Sequence, residues 1–254
     1  MSADWFPFRV KRAAPASRLV CFPPAGKGGS VFRTWQPAAP EAIEVLAVQL
    51  PGRETRMQAP PIDDVDRLAD KICEALVPFL RHPLALFGHC YGAVVAFEVA
   101  RRLPEDFVAM LCVSSCRAPH MLSPAGWSAG RPSFVDKVEI VRDAYGDKVA
   151  DLPAELLEEL MPGLLADLVA LDRYRCEEPV ELACPIHLFV WEQDLTVSRD
   201  EVQAWQHYTT ARFTTSTVNA NREELAPEGA TITHAVYAEL TRADEQSPFV
   251  HQAR

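Results

Sequence analysis

Residues 86–100 read LFGHCYGAVVAFEVA, a glycine–x–cysteine–x–glycine pattern set between an apolar run and a stretch of helical periodicity. PLALFG, immediately before the cysteine, is short and continuously apolar and reads as a strand. GAVVAFEVARRL, immediately after it, repeats apolar residues at three- and four-residue intervals and reads as a helix. Cys90 falls on the turn between them. A strand–nucleophile–helix elbow is sharp and closely packed, so it needs small residues on both sides of its central residue; Gly88 and Gly92 supply them. The plain alternative is a cysteine that only fills the core, and the flanking strand and helix favour the elbow. A helix start favours negative charge, which suits a thiol that reacts as a thiolate.

The same alternation extends outward from the elbow. SRLVCF, IEVLAVQL, FVAMLCVS and PIHLFVW are continuous apolar runs bounded by Pro, Gly or polar residues, as strands buried on both faces are. DVDRLADKICEALVPFL is a second helix-like segment. Strands alternating with helices predict an α/β fold with a mostly parallel central sheet and helices on both faces. The alternation pauses at about residues 121–175, where a Ser/Pro/Gly-rich loop is followed by SFVDKVEIVRDAYGD and PAELLEELMPGLLADLVALDRY. These two segments predict helices, with Pro153 placed at a helix start. The insertion reads as a lid over the strands' carboxyl ends or as a crossover cover, within a single domain of 254 residues.

Composition limits the partners. A net charge of −10 repels phosphate backbones, so nucleic acid is not an expected partner. No segment is long and apolar enough for a membrane span or a signal peptide, and a cytoplasmic location is expected. Seven cysteines are then expected as free thiols. Cys112 and Cys116 have no second Cys/His pair at zinc spacing, so no metal is expected.

An acyl-transfer site needs donors for an oxyanion. In an elbow, one is the N–H of the residue after the nucleophile, here Tyr91. The second is expected from CFPPAGKGGSVF, the loop after an early strand, with Ala25 or Gly26 as donor.

FPPAGKGGSVFRTW, LPGRETRMQAPPIDDVDRLAD, FGHCYGAVVAFEVARRL, RAPH and AWQHYTT, in that order over about residues 16–210, resemble the type II thioesterases that accompany nonribosomal peptide and polyketide synthases. The resemblance implies the α/β-hydrolase fold. It also implies action on acyl groups held as thioesters on the phosphopantetheine arm of an acyl or peptidyl carrier protein, with no bound cofactor. Cys90 matches the family's nucleophile, Asp194 in FVWEQDLTV its acid, and Ala25 its first oxyanion donor.

Three features depart from the family pattern. The nucleophile is cysteine rather than serine, and Pro24 precedes Ala25 where the family usually has histidine. The catalytic histidine is also displaced or absent. It is expected after one more strand, here RFTTSTV, but the following turn reads NANREEL. Counting without gaps puts Arg222 at its place, where it would pair with Asp194 or bind a substrate's negative charge. His234 would serve as base only with an inserted loop, and TITHAVYAELTR otherwise makes it an ordinary helical residue. Lys27, Arg53, Arg56, Arg101 and Arg102 are candidates for a basic carrier-docking patch, although solvated surface charge is the commoner role of such residues.

Two activities remain open on these residues. One passes an acyl or aminoacyl group between carriers through an acyl-S-Cys90 intermediate; its Cys-bearing site resembles that of carrier shuttle enzymes in this superfamily. The other hydrolyses mis-loaded carriers with a Cys90–Asp194–His234 triad. A third possibility is a degenerate fold that binds a carrier without chemistry.

Overall fold

Strands buried on both sides of a sheet are mostly apolar, and the five apolar runs are indeed strands; the more polar RFTTSTV stretch supplies a sixth at the sheet edge. In the computed structural model, which describes residues 3–122, 161–176, 180–194, 197–220, 225 and 227–246, they are β1 (Ser17–Phe22), β2 (Ile43–Ala47), β3 (Leu84–His89), β4 (Val108–Ser114), β5 (Ile186–Trp191) and β6 (Phe213–Val218). The order across the sheet is β2-β1-β3-β4-β5-β6, and every adjacent pair is parallel.

Alternation within each run assigns its two faces. Val20, Phe22, Leu84, Leu86, Leu111, Val113 and Leu188 point into one core, under α2 (Val65–Leu76) and α3 (Tyr91–Arg102). Leu19, Cys21, Ala85, Phe87, Cys112 and Phe189 point into the other, under α1 (Trp35–Ala38) and α6 (Gly229–Gln246). The helix α3 is buried from Tyr91 to Ala100, so it lies against the sheet rather than over its edge.

The remaining described helices are α4 (Pro162–Arg173), with Pro162 in its first turn, and α5 (Arg199–Gln203), whose capping box pairs Ser198 with Glu201. Most of the expected insertion, residues 123–160, lies outside the described residues, as does Pro153. No helix among the described residues is long and apolar enough to cross a membrane.

The chain steps from β1 outward to β2, then returns past β1 to β3 and continues the other way. Beyond the carboxyl ends of β1 and β3 the winding reverses, and in open α/β sheets that crevice receives ligands. Cys90 directly follows β3, and the CFPPAGKGG loop leaves β1.

Candidate active site

The elbow is built from backbone geometry. Cys90 has φ 53° and ψ −122°, a left-handed conformation that costs a residue with a Cβ about 1–3 kcal/mol. Its N–H donates to the Ser114 carbonyl (2.9 Å), and its own carbonyl accepts from Ala93 N–H (2.9 Å). Both flanking glycines are required by contact. A Cβ on Gly88 would overlap Ala93 Cα, and one on Gly92 would overlap the Phe22 carbonyl oxygen. The half-exposed Cys90 is thus held at the start of α3, and no described side chain hydrogen-bonds its sulfur.

Behind the elbow, three strand ends are tied together. Trp191 Nε1 on β5 donates to Ser114 Oγ on β4 (2.7 Å), and the same oxygen lies 2.8 Å from His89 Nδ1 on β3. Buried His89 also meets the Trp191 ring edge-on, with centroids 5.6 Å apart. It packs inside the motif and ties the strand that leads to Cys90 to the strand that precedes Asp194. Asp194 is half-buried in the turn after β5, with its N–H donating to the Trp191 carbonyl (3.2 Å).

The loop after β1 passes close to the elbow, since the Gly92 Cα hydrogen faces the Phe22 and Pro23 carbonyls. A turn closed from Lys27 N–H to the Pro24 carbonyl (3.1 Å) places Gly26 at its third position with φ 74°, where a type II turn requires the left-handed region. Gly26 N–H is occupied, donating to Asp167 Oδ2 (2.8 Å). Ala25 N–H has no acceptor among the described residues, and neither has Tyr91 N–H at the first position of α3. Of the two donors open on sequence grounds, Gly26 is therefore spent and Ala25 is available. The Tyr91 side chain lies buried, and burial holds its phenol well above the ordinary range.

His234 is exposed on α6. Its Nδ1 donates to the Ala230 carbonyl one turn back (2.8 Å), and it bonds to no other described residue. The structure does not bring it into bonding contact with Cys90 or Asp194. Arg222 lies outside the described residues.

The basic residues are mostly engaged elsewhere. Arg53, one of the docking candidates, is only 6% exposed and forms a bidentate ion pair with buried Asp167. Arg101 and Arg102 bind the buried carboxylate of Glu98, and Arg102 also reaches Asp66 and Asp70 on α2. Arg56 lies over the Trp5 ring at 4.0 Å. These are structural pairings, which local sequence patterns did not reveal. Among the described residues no group of three His, Cys, Asp or Glu side chains is arranged to hold a metal.

Comparison with known proteins identifies this architecture. The Thioesterase domain family matches residues 17–235. Over 212 residues the chain is 37% identical to the AMB antimetabolite synthetase AmbE of Pseudomonas aeruginosa, covering 79% of this chain and 10% of that much longer protein. It is 30% identical over 221 residues to the gramicidin S biosynthesis protein GrsT of Aneurinibacillus migulanus, covering 82% of this chain and 83% of GrsT. Among solved structures, the RedJ thioesterase from the prodiginine pathway of Streptomyces coelicolor superposes with a TM-score of 0.74 at 34% identity, over 94% of each chain. A match across most of the chain, together with the parallel sheet and its strand-to-helix elbow, makes this chain a member of the thioesterase domain family, an α/β-hydrolase-fold enzyme that acts on thioesters.

Proposed function

We propose that the enzyme transfers acyl or aminoacyl groups between carrier proteins of a nonribosomal peptide or polyketide assembly line, by way of an acyl-S-Cys90 intermediate. The observation that carries this reading is the pairing of Cys90 at a strained, half-exposed elbow with the absence of any described side chain bonded to its sulfur.

The chemistry follows from the residue types. The Cys90 thiolate attacks the thioester carbonyl of a pantetheine-borne acyl group. The carbonyl oxygen takes the negative charge and accepts hydrogen bonds from the Ala25 and Tyr91 N–H groups, a kind of stabilisation worth about 10²–10³-fold per donor. Collapse breaks the bond to the pantetheine sulfur, which leaves as a thiolate and takes up a proton. One thioester has replaced another, so the acyl group stays activated. A second pantetheine thiolate then attacks the acyl-cysteine and expels the Cys90 thiolate.

Hydrolysis makes a different demand. Water needs a positioned general base, worth about 10²–10⁴-fold. His234, the histidine that a hydrolytic triad would use, has its Nδ1 engaged with the Ala230 carbonyl on the exposed side of α6. Proximity to biosynthetic relatives such as GrsT and RedJ supports an assembly-line setting.

The test mixes the purified enzyme with one acyl-loaded carrier and one empty carrier. Label is expected on the second carrier faster than free acid appears. Free acid without transfer would sink the proposal and favour the editing hydrolase. His234→Ala is expected to change the transfer rate by less than about twofold, because its exposed ring is bonded to the Ala230 carbonyl of its own helix; a loss comparable to that of a general base would restore His234 to the mechanism.

A further inference from the structure

We infer that Asp167 and Arg53 are positioning residues for the oxyanion loop: Asp167 holds the Gly26 N–H, and this fixes the turn that leaves Ala25 N–H free for the acyl oxygen. The inference rests on the acyl-Cys90 reading above and extends it to a helix far from the elbow in sequence.

The loop is held by side chains from two other segments, α4 and the stretch after β2. Asp167 Oδ2, on α4, accepts from Gly26 N–H (2.8 Å) across 141 positions of sequence. Gln49 Oε1 accepts from Gly29 N–H (3.0 Å), and Glu54 accepts from Ser30 N–H (3.2 Å) and Ser30 Oγ (2.6 Å). Arg53 braces this frame. Its guanidinium meets both Asp167 oxygens, donates to the Gly163 carbonyl at the start of α4 (2.8 Å) and donates to the Pro51 carbonyl (3.3 Å). Its own carbonyl accepts from Gln49 Nε2 (3.0 Å), the side chain that also holds Gly29. Gly163 is a close-approach position, since a Cβ there would stand 2.7 Å from Arg53 Nε.

Asp167 occupies the buried side of α4 beside Leu164 and Leu168, and is 1% exposed. Burial pushes its carboxyl up, while Arg53 and the Gly26 N–H pull it back toward the ionised form. Buried ion pairs add little stability over a well-packed apolar pair of similar size. The distinctive consequence of this pair is therefore geometric. An apolar pair would fill the space and leave Gly26 N–H without its acceptor. The turn would then be free to rotate Ala25 N–H away, and a misplacement of about 1 Å costs about 10²-fold in rate.

The double variant Arg53→Met with Asp167→Leu tests this while avoiding an unpaired buried charge. Its melting temperature is expected near that of the parent. Acylation of Cys90 by a pantetheine thioester is expected to slow by about 10- to 100-fold, with KM within about twofold. Affinity for a pantetheine aldehyde, whose oxygen occupies the oxyanion position as a hemithioacetal, is expected to fall by a similar factor. Affinity for the matching unreactive amide should stay unchanged, which a merely structural role would not produce. Wild-type acylation by the folded double variant overturns the inference. A parent enzyme that never gains acyl mass on Cys90 overturns the Cys90 reading instead. Independently of any variant, the Gly26 amide of the labelled wild-type protein is expected to exchange slowly with solvent. Exchange at the rate of an unstructured glycine would mean that Asp167 does not hold it.

Discussion

Cys90→Ala is expected to erase the acyl adduct and slow transfer by about 10⁴-fold or more, the scale on which removing a covalent nucleophile acts. The fold should survive, because the substitution keeps the Cβ and both backbone bonds of the elbow. Intact-mass spectra taken after mixing with an acyl-pantetheine thioester give the direct reading: wild type gains one acyl mass and the variant none. Peptide mapping assigns the adduct among seven free cysteines, most of them poor competitors. Burial pushes the Cys73 and Cys184 thiols up to about 11 and holds Cys21 and Cys112 above the ordinary range, so all four stay protonated at neutral pH. Cys90→Ser is the more discriminating companion. A hydroxyl must surrender its proton during attack and depends on a neighbouring base, whereas a thiol ionises readily. On the transfer reading, the serine variant is expected to lose nearly as much as the alanine variant. Substantial activity in Cys90→Ser would place a general base at the site and favour hydrolysis. Unchanged transfer in Cys90→Ala would mean the acyl group moves without touching this residue.

The parts of this site that were legible in the sequence are those governed by local rules. A strand buried on both faces is apolar over most of its length, so the runs LVCF and LALFG stood out without neighbours. The elbow was legible because its two glycines answer to contacts within a few residues or with an adjacent strand. The choice between Ala25 and Gly26 was different in kind. Asp167 takes the Gly26 N–H, and nothing in the CFPPAGKGG loop encodes which distant carboxylate does so. The available signal was an acid on the apolar stripe of a helix, with Asp167 lying among Leu164, Leu168 and Leu171 in GLLADLVALD. Glu98 interrupts the buried side of α3 in the same way and has its own arginine partners. A charged residue at a core position of an amphipathic helix requires a buried partner. Read by that rule, Arg53 becomes a candidate for such a partner rather than for carrier docking. Sequence spacing alone could not pair the two, since the fold brings them together from opposite sides of the elbow.

Gly92→Ala is expected to damage both stability and catalysis, out of proportion to the addition of one methyl group. The new Cβ would overlap the Phe22 carbonyl oxygen and stand 2.6 Å from the Pro23 carbonyl oxygen. Both obstacles are backbone, so no side chain can rotate aside. Either α3 retreats from the sheet or the end of β1 moves outward. Because α3 is buried over ten consecutive residues, the displacement is expected to fall on the end of β1 and the loop that follows it. Overpacking of a tight core costs about 1–3 kcal/mol, and a fixed backbone obstacle belongs at the upper end. For a domain of this size each kcal/mol lowers the melting temperature by about 2–4 °C, so a fall of about 6–12 °C is expected. Catalysis should suffer further, since Ala25 stands two residues beyond Pro23 and its N–H would be carried off the proposed oxyanion position. Acylation measured well below the melting range is expected to drop by about 10²-fold while the protein remains folded. A variant that melts and acylates like the parent would show that helix and strand do not approach this closely, and the shared crevice for nucleophile and oxyanion donors would lose its structural basis.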